Sequence, residues 1–135
     1  MRLFSPRTLA TLWSVLIAIG LTLPGSALPG ASLFEYDKLV HGALFLVLAL
    51  LWLAAGSRGR LDRGLGIFAI ILAFSVITEL YQGMLPFDRH PDMYDSAADA
   101  IGAVIGFGLW LPLRARLDRW SERSRRAPVG EGGKT

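Results

Sequence analysis

The 135-residue chain contains no cysteine. That excludes a disulfide framework, a thiolate metal site and a cysteine nucleophile, and leaves the redox compartment open. Histidine is scarce: His41 and His90 are the two present. Neither lies in an HExxH pattern, and the Lys/Arg, Ser-Gly-His and distal His set of membrane phosphatases is missing. No internal repeat is visible. The apolar stretches lack the period-2 alternation of transmembrane barrel strands. Charged residues are also few, at 19%.

What remains is apolar. Hydrophobic residues make up 53% of the chain and mean hydropathy is +0.45, too apolar for a soluble domain of this size. The apolar residues fall in four blocks, Leu9 to Leu23, Leu39 to Ala55, Leu65 to Tyr81 and Ala97 to Leu113. Each is long enough, at about 1.5 Å per residue, to approach a hydrocarbon core about 30 Å thick. Lipid offers no partner for unpaired backbone groups, so each block reads as a helix. Pro24, Gly25, Pro29 and Gly30 close the first block, Gly56 and Gly59 the second, and Gly83, Pro86 and Pro91 the third. The expected fold class is all-α, an integral-membrane bundle of four transmembrane helices. Residues 1–8 form a short N-terminal segment, 9–113 the transmembrane domain, and 114–135 a basic tail that begins as a helix extension and ends without periodicity.

Four spans put the N-terminus, the link near Arg58, Arg60 and Arg63, and the tail on one side. Every basic residue except Lys38 and Arg89 lies there. By the positive-inside rule that side is cytoplasmic, so both termini are expected in the cytoplasm. The other side holds Glu35, Asp37, Glu79, Asp88, Asp92, Asp95 and Asp99. Tyr36, Tyr81 and Tyr94 fall at the outer ends of the spans and Trp52 and Trp110 at inner ends, where interfacial aromatics belong. The net charge of +3 is thus a topology signal, and nucleic acid is not expected as a partner. A rival reading of the first block is a signal peptide cleaved after Ala27, in "GSA". Retention is favoured, because an even number of spans returns the basic tail to the cytoplasm.

The outer ends carry a concentration of polar residues. Asp37 and His41 share a helix face at spacing i, i+4, as do Asp95 and Asp99; Glu79 and Gln82 are spaced i, i+3. Gly102 and Gly106 continue the Asp95–Asp99 stripe with the small-xxx-small spacing of close helix contacts. Ionisable groups at membrane depth are costly unless they pair or face a cavity, so Glu79 and Asp99 are expected to point inward. Each residue has a structural alternative. Asp37 and Asp92 suit helix N-caps, Lys38 suits snorkelling, and Arg89 suits a surface ion pair with Asp88 or Asp92. The joint placement favours a polar pocket formed by Asp37, Lys38, His41, Glu79, Gln82, Arg89, Asp95 and Asp99.

The order "DKLVH", "ELYQ", Arg89 and "DSAADAIGAVIG" resembles the VanZ-like family of small bacterial membrane proteins. The matching positions are Asp37, Lys38, His41, Glu79, Gln82, Arg89, Asp95, Gly102 and Gly106, over a motif core of residues 37–106. Asp99 departs from the pattern, standing where the family usually has Asn. The resemblance implies a multi-pass protein of the bacterial inner membrane with a cell-envelope role, the family's namesake being associated with low-level teicoplanin resistance. It implies no reaction. The leading expectation is binding of an anionic envelope lipid or peptidoglycan precursor, with Lys38 and Arg89 on the anion. No cofactor or metal is assigned. The alternatives are an envelope enzyme, with His41 and Glu79 as acid and base or joined by Asp95 and Asp99 on a hard divalent ion, and a structural or ion-coupled transport subunit acting as an oligomer.

Overall fold

The structure is a computed structural model and describes residues 5–22, 37–57, 59–86 and 92–126. Among these are four helices: α1 (Pro6–Thr22), α2 (Asp37–Gly56), α3 (Leu61–Met84) and α4 (Met93–Arg126). Their ends follow local chemistry. Ser5 caps α1, its Oγ accepting the Thr8 N–H at 3.1 Å, and Pro6 occupies the first helical position, where the proline's missing donor costs nothing. Gly59 adopts φ 75° between α2 and α3, a left-handed conformation that glycine takes without a Cβ clash. Asp92 caps α4, its Oδ1 accepting the Tyr94 N–H at 2.8 Å.

Three of the helices, α2, α3 and the Met93–Arg116 part of α4, are long and apolar enough to cross a membrane. α1 is shorter, at 17 residues, or about 26 Å at 1.5 Å per residue. The lengths exceed the apolar blocks because polar residues such as Asp95 and Arg114 continue the helices beyond their oily segments. The outward faces are apolar, with Ile70, Ile77, Leu80 and Ile101 more than half exposed. A surface of that composition is suited to hydrocarbon, and the chain is a membrane protein.

α2 is the central helix. Its most extensive partner is α4, followed by α1, and it also meets α3; α3 packs on α4 as well, and α1 and α3 touch only slightly. The buried stripe of α2 is His41, Phe45, Leu48, Ala49 and Leu53, spaced to keep one face toward its partners. The core adds Ile17, Ile71, Ala103 and Trp110. Two indoles hold α1 to α2: the Trp13 N–H donates to the Leu44 carbonyl at 3.0 Å, and the Trp52 N–H to Ser14 Oγ at 3.0 Å. Both donors are thereby satisfied where water is scarce.

The α2–α4 approach is set by glycine. A Cβ built on Gly102 would stand 1.9 Å from the Gly42 carbonyl oxygen, and one on Gly106 would stand 2.8 Å from the Leu46 carbonyl oxygen. Backbones packed this closely gain dispersion contacts that lipid chains cannot match.

Candidate functional site

The beginning of α2, the end of α3 and the beginning of α4 meet at one end of the bundle. α2 contributes Asp37, Lys38 and His41, α4 contributes Asp95 and Asp99 behind the Asp92 cap, and α3 contributes a buried stripe that includes Ser75, Thr78, Glu79 and Gln82. Helical spacing puts each set on one face, and the glycine seam brings the α2 and α4 faces together.

At the centre is Asp99, 2% exposed. Its Oδ1 lies 3.1 Å from His41 Nδ1, and its Oδ2 accepts the Ser75 hydroxyl at 2.9 Å. An ionised carboxylate offers only acceptors, in which case His41 donates from Nδ1 and presents Nε2 in the other direction. That nitrogen is 3.9 Å from Asp37 Oδ1, beyond hydrogen-bond range. His41 is itself 7% exposed.

A second set lies nearer the surface. Lys38 Nζ is 3.0 Å from Asp92 Oδ2 and 3.3 Å from Asp95 Oδ1, with the ammonium 5.6 Å from the Tyr94 ring centroid. The Asp92 backbone N–H donates to Glu79 Oε1 at 2.5 Å, which ties the end of α3 to the start of α4. The Tyr94 N–H, and after it the Lys38 ammonium, hold the Asp92 carboxyl below the usual carboxylate range. Thr78 spends its hydroxyl on the Phe74 and Ser75 carbonyls. Gln82 lies buried one turn beyond Thr78.

The structure thus brings Asp37, His41, Asp95 and Asp99 together, with Lys38 and Glu79 at the same end. Arg89 lies outside the described residues. Ser75 and Asp92 carry interactions that were not assigned to the site from sequence. Asp92 was legible as a cap, whereas Ser75 is a hydroxyl inside an apolar run, and only the arrival of α4 gives it an acidic partner. Gly102 and Gly106 face Gly42, Leu46 and Ala49 of α2.

Ser75, Asp99 and His41 have the residue types of a hydrolase triad in a different order. The carboxylate stands between serine and histidine, so the imidazole cannot take a proton directly from the hydroxyl as an activated serine requires. The donors that could surround a metal also differ from the set expected from sequence. Glu79 is committed to the Asp92 N–H and Asp99 to His41 and Ser75, whereas Asp37, His41 and Asp95 each offer one ligand atom, all within 4.8 Å of one another.

A separate groove of about 730 Å³ lies among α1, α2 and α3, lined by Leu48, Trp52, Ile67, Ile71 and Phe74 together with Arg7 and Arg63. It shares no residue with the polar cluster.

Comparisons with curated proteins and with solved structures find no match. A family model does match, described as VanZ/LLP1 and covering residues 4–115, which takes in α1, α2, α3, the polar cluster and the glycine seam. The chain belongs to the VanZ/LLP1 family.

Proposed function

We propose that the protein is a four-span protein of the bacterial inner membrane, with both termini in the cytoplasm, whose polar cluster opens toward the cell envelope and binds an anionic envelope component. The concentration of basic residues at the other ends of the helices supports this orientation, and the 17 residues of α1 come within a few ångströms of the hydrocarbon thickness. The chemical class of the ligand is a phosphate or carboxylate borne by an envelope lipid or peptidoglycan precursor.

The observation that carries this reading is the presentation of Lys38. Its side chain is 53% exposed, yet Asp92 and Asp95 fix its ammonium at the rim of three converging helices. A cation on a flexible stem is thereby held ready for an anion at small further entropy cost. Arg89, six residues before Asp95 in sequence, is the second basic residue on that side and is assigned to the same anion. Binding suffices for this role, and the order of Ser75, Asp99 and His41 gives no support to a serine nucleophile.

The test is a complementation assay in a strain whose own copy is deleted and which shows an envelope-stress or glycopeptide-sensitivity phenotype. Lys38→Ala and Arg89→Ala, each inserted at normal levels, are expected to lose complementation. Full complementation by both would overturn the anion reading.

A further inference from the structure

We propose that Asp37, His41 and Asp95 form a binding site for a divalent transition-metal ion of the Zn²⁺ or Mn²⁺ type. The inference stands on the geometry of these three side chains and does not depend on which anion the mouth receives.

His41 turns one ring nitrogen toward Asp99 and the other toward Asp37. Asp99 Oδ1 lies 3.1 Å from His41 Nδ1, and Ser75 occupies the other Asp99 oxygen, so the imidazole has one orientation and its Nε2 is directed away from Asp99. The groups it meets there are carboxylates. Asp37 Oδ1 stands 3.9 Å away, and an oxygen of Asp95 lies within 4.8 Å of the ligand atoms of both Asp37 and His41. Two carboxylates and an imidazole nitrogen facing a common point call for a positive centre between them, which either a proton on Nε2 or a metal ion supplies. Among the described residues His41 Nε2 makes no hydrogen bond, and its ion-pair contact is with Asp37 at 3.9 Å.

A metal ion fits this arrangement in three respects. Ligand atoms bound to one ion at about 2.1 Å lie about 3.4 Å apart in a tetrahedron. Asp37 and Asp95 are both partly exposed, so side-chain rotation can close the remaining gap. One imidazole with two carboxylates is a borderline-to-hard donor set, suited to Zn²⁺ or Mn²⁺ and unsuited to Cu(I). Finally, His41 donates its other ring N–H to Asp99, the carboxylate–histidine–metal relay that fixes the tautomer and raises the basicity of a metal-binding imidazole. Three protein ligands leave a coordination position open for an oxygen of an anionic ligand.

Lys38 is the internal competitor. Its ammonium lies 3.3 Å from Asp95 Oδ1, so an ion bound through Asp95 loosens or displaces it. The site therefore predicts opposite effects from neighbouring substitutions. Asp37→Asn and Asp95→Asn each remove a charged ligand and weaken binding, whereas Lys38→Met removes the competitor and tightens it.

The full chain, purified in detergent and stripped with chelator, is titrated with Zn²⁺ and separately with Mn²⁺ by calorimetry, and bound metal per chain is measured after desalting. One ion per chain is expected for at least one of the two metals. Affinity should fall about tenfold or more in Asp37→Asn and Asp95→Asn, both with unchanged helical circular dichroism, and rise in Lys38→Met. Absence of saturable one-to-one binding, or wild-type affinity in both Asn variants, would overturn the metal site. Complementation measured in parallel separates the two proposals. Lys38→Met tightens the metal and loses the anion if both hold, and complementation without metal binding leaves the anion reading in place.

Discussion

The two ends of the bundle treat charge in opposite ways. At the end formed by Asp37, Glu79 and Asp95, charged groups lie across helix boundaries: Lys38 of α2 bridges to Asp92 and Asp95, and His41 of α2 meets Asp99 of α4. At the other end the described ion pair is local. Arg60 reaches Asp62 two residues away at 2.8 Å, with both side chains 62% exposed. Helices there meet through shape, as where Gly64 makes room for the Trp110 ring, and through an uncharged hydrogen bond from Trp52 to Ser14. Among the described residues, one end is therefore specified by charged partners and the other by packing and uncharged contacts.

The largest expected effect tests the seam that the polar end depends on. Gly102→Ala places a methyl group against the Gly42 carbonyl and should cost about 3 kcal/mol or more. Gly108→Ala, on the same helix with nothing within 4 Å of the new Cβ, should be neutral or slightly stabilising. Thermal unfolding in detergent followed by circular dichroism compares the two, and equal melting temperatures would refute a glycine-set approach. The next effect tests the buried polar pairing. Asp99→Ala strands His41 and Ser75 and should cost about 2 kcal/mol, while Asp99→Asn keeps an acceptor for His41 and should cost less. If Asn proves as damaging as Ala in the same melt, the charge of Asp99 matters more than its hydrogen bonds.

The smallest effect contrasts surface charges at the two ends. Because the folded state holds the Asp92 carboxyl below its usual range, its contribution is fully present above the unfolded value of about 3.9 and disappears as pH falls through the lower folded value. Asp92→Ala should therefore melt below wild type at neutral pH, with the difference closing at strongly acidic pH. Arg60→Ala should match wild type at neutral pH. A gap for Asp92→Ala that persists unchanged into acid would assign its role to backbone geometry instead of charge.

Much of this contrast is written in spacing. The apolar runs of α2, α3 and α4 announce spanning helices because lipid enforces both length and composition, and the i, i+4 pairs Asp37–His41 and Asp95–Asp99 announce polar faces because they fall at helix ends. The partners are less legible. Nothing local distinguishes Ser75 from a hydroxyl bonded to its own helix, as Thr78 is, and nothing in "DKLVH" directs Lys38 to Asp92, 54 residues on. Gly42 gives no signal of its own, since its importance comes from Gly102 on another helix. Glu79 was readable as inward-facing, whereas its bond to the Asp92 N–H depends on where the chain re-enters the bundle. Periodicity reports faces; which faces meet is decided by packing.

The Gly42–Gly102 contact has one further consequence. Gly42 adjoins His41, and Gly102 lies one helical turn beyond Asp99, so the point where the two backbones touch is also the fixed reference from which the His41–Asp99 distance is measured. Sliding α4 by one turn, about 5.4 Å, would in one direction carry Asp99 to the level of Phe45 and in the other leave His41 facing Gly102. The contact acts as a ruler between the helices. Any natural variation that preserves the polar pair must keep this spacing, even where the packing surface around it changes.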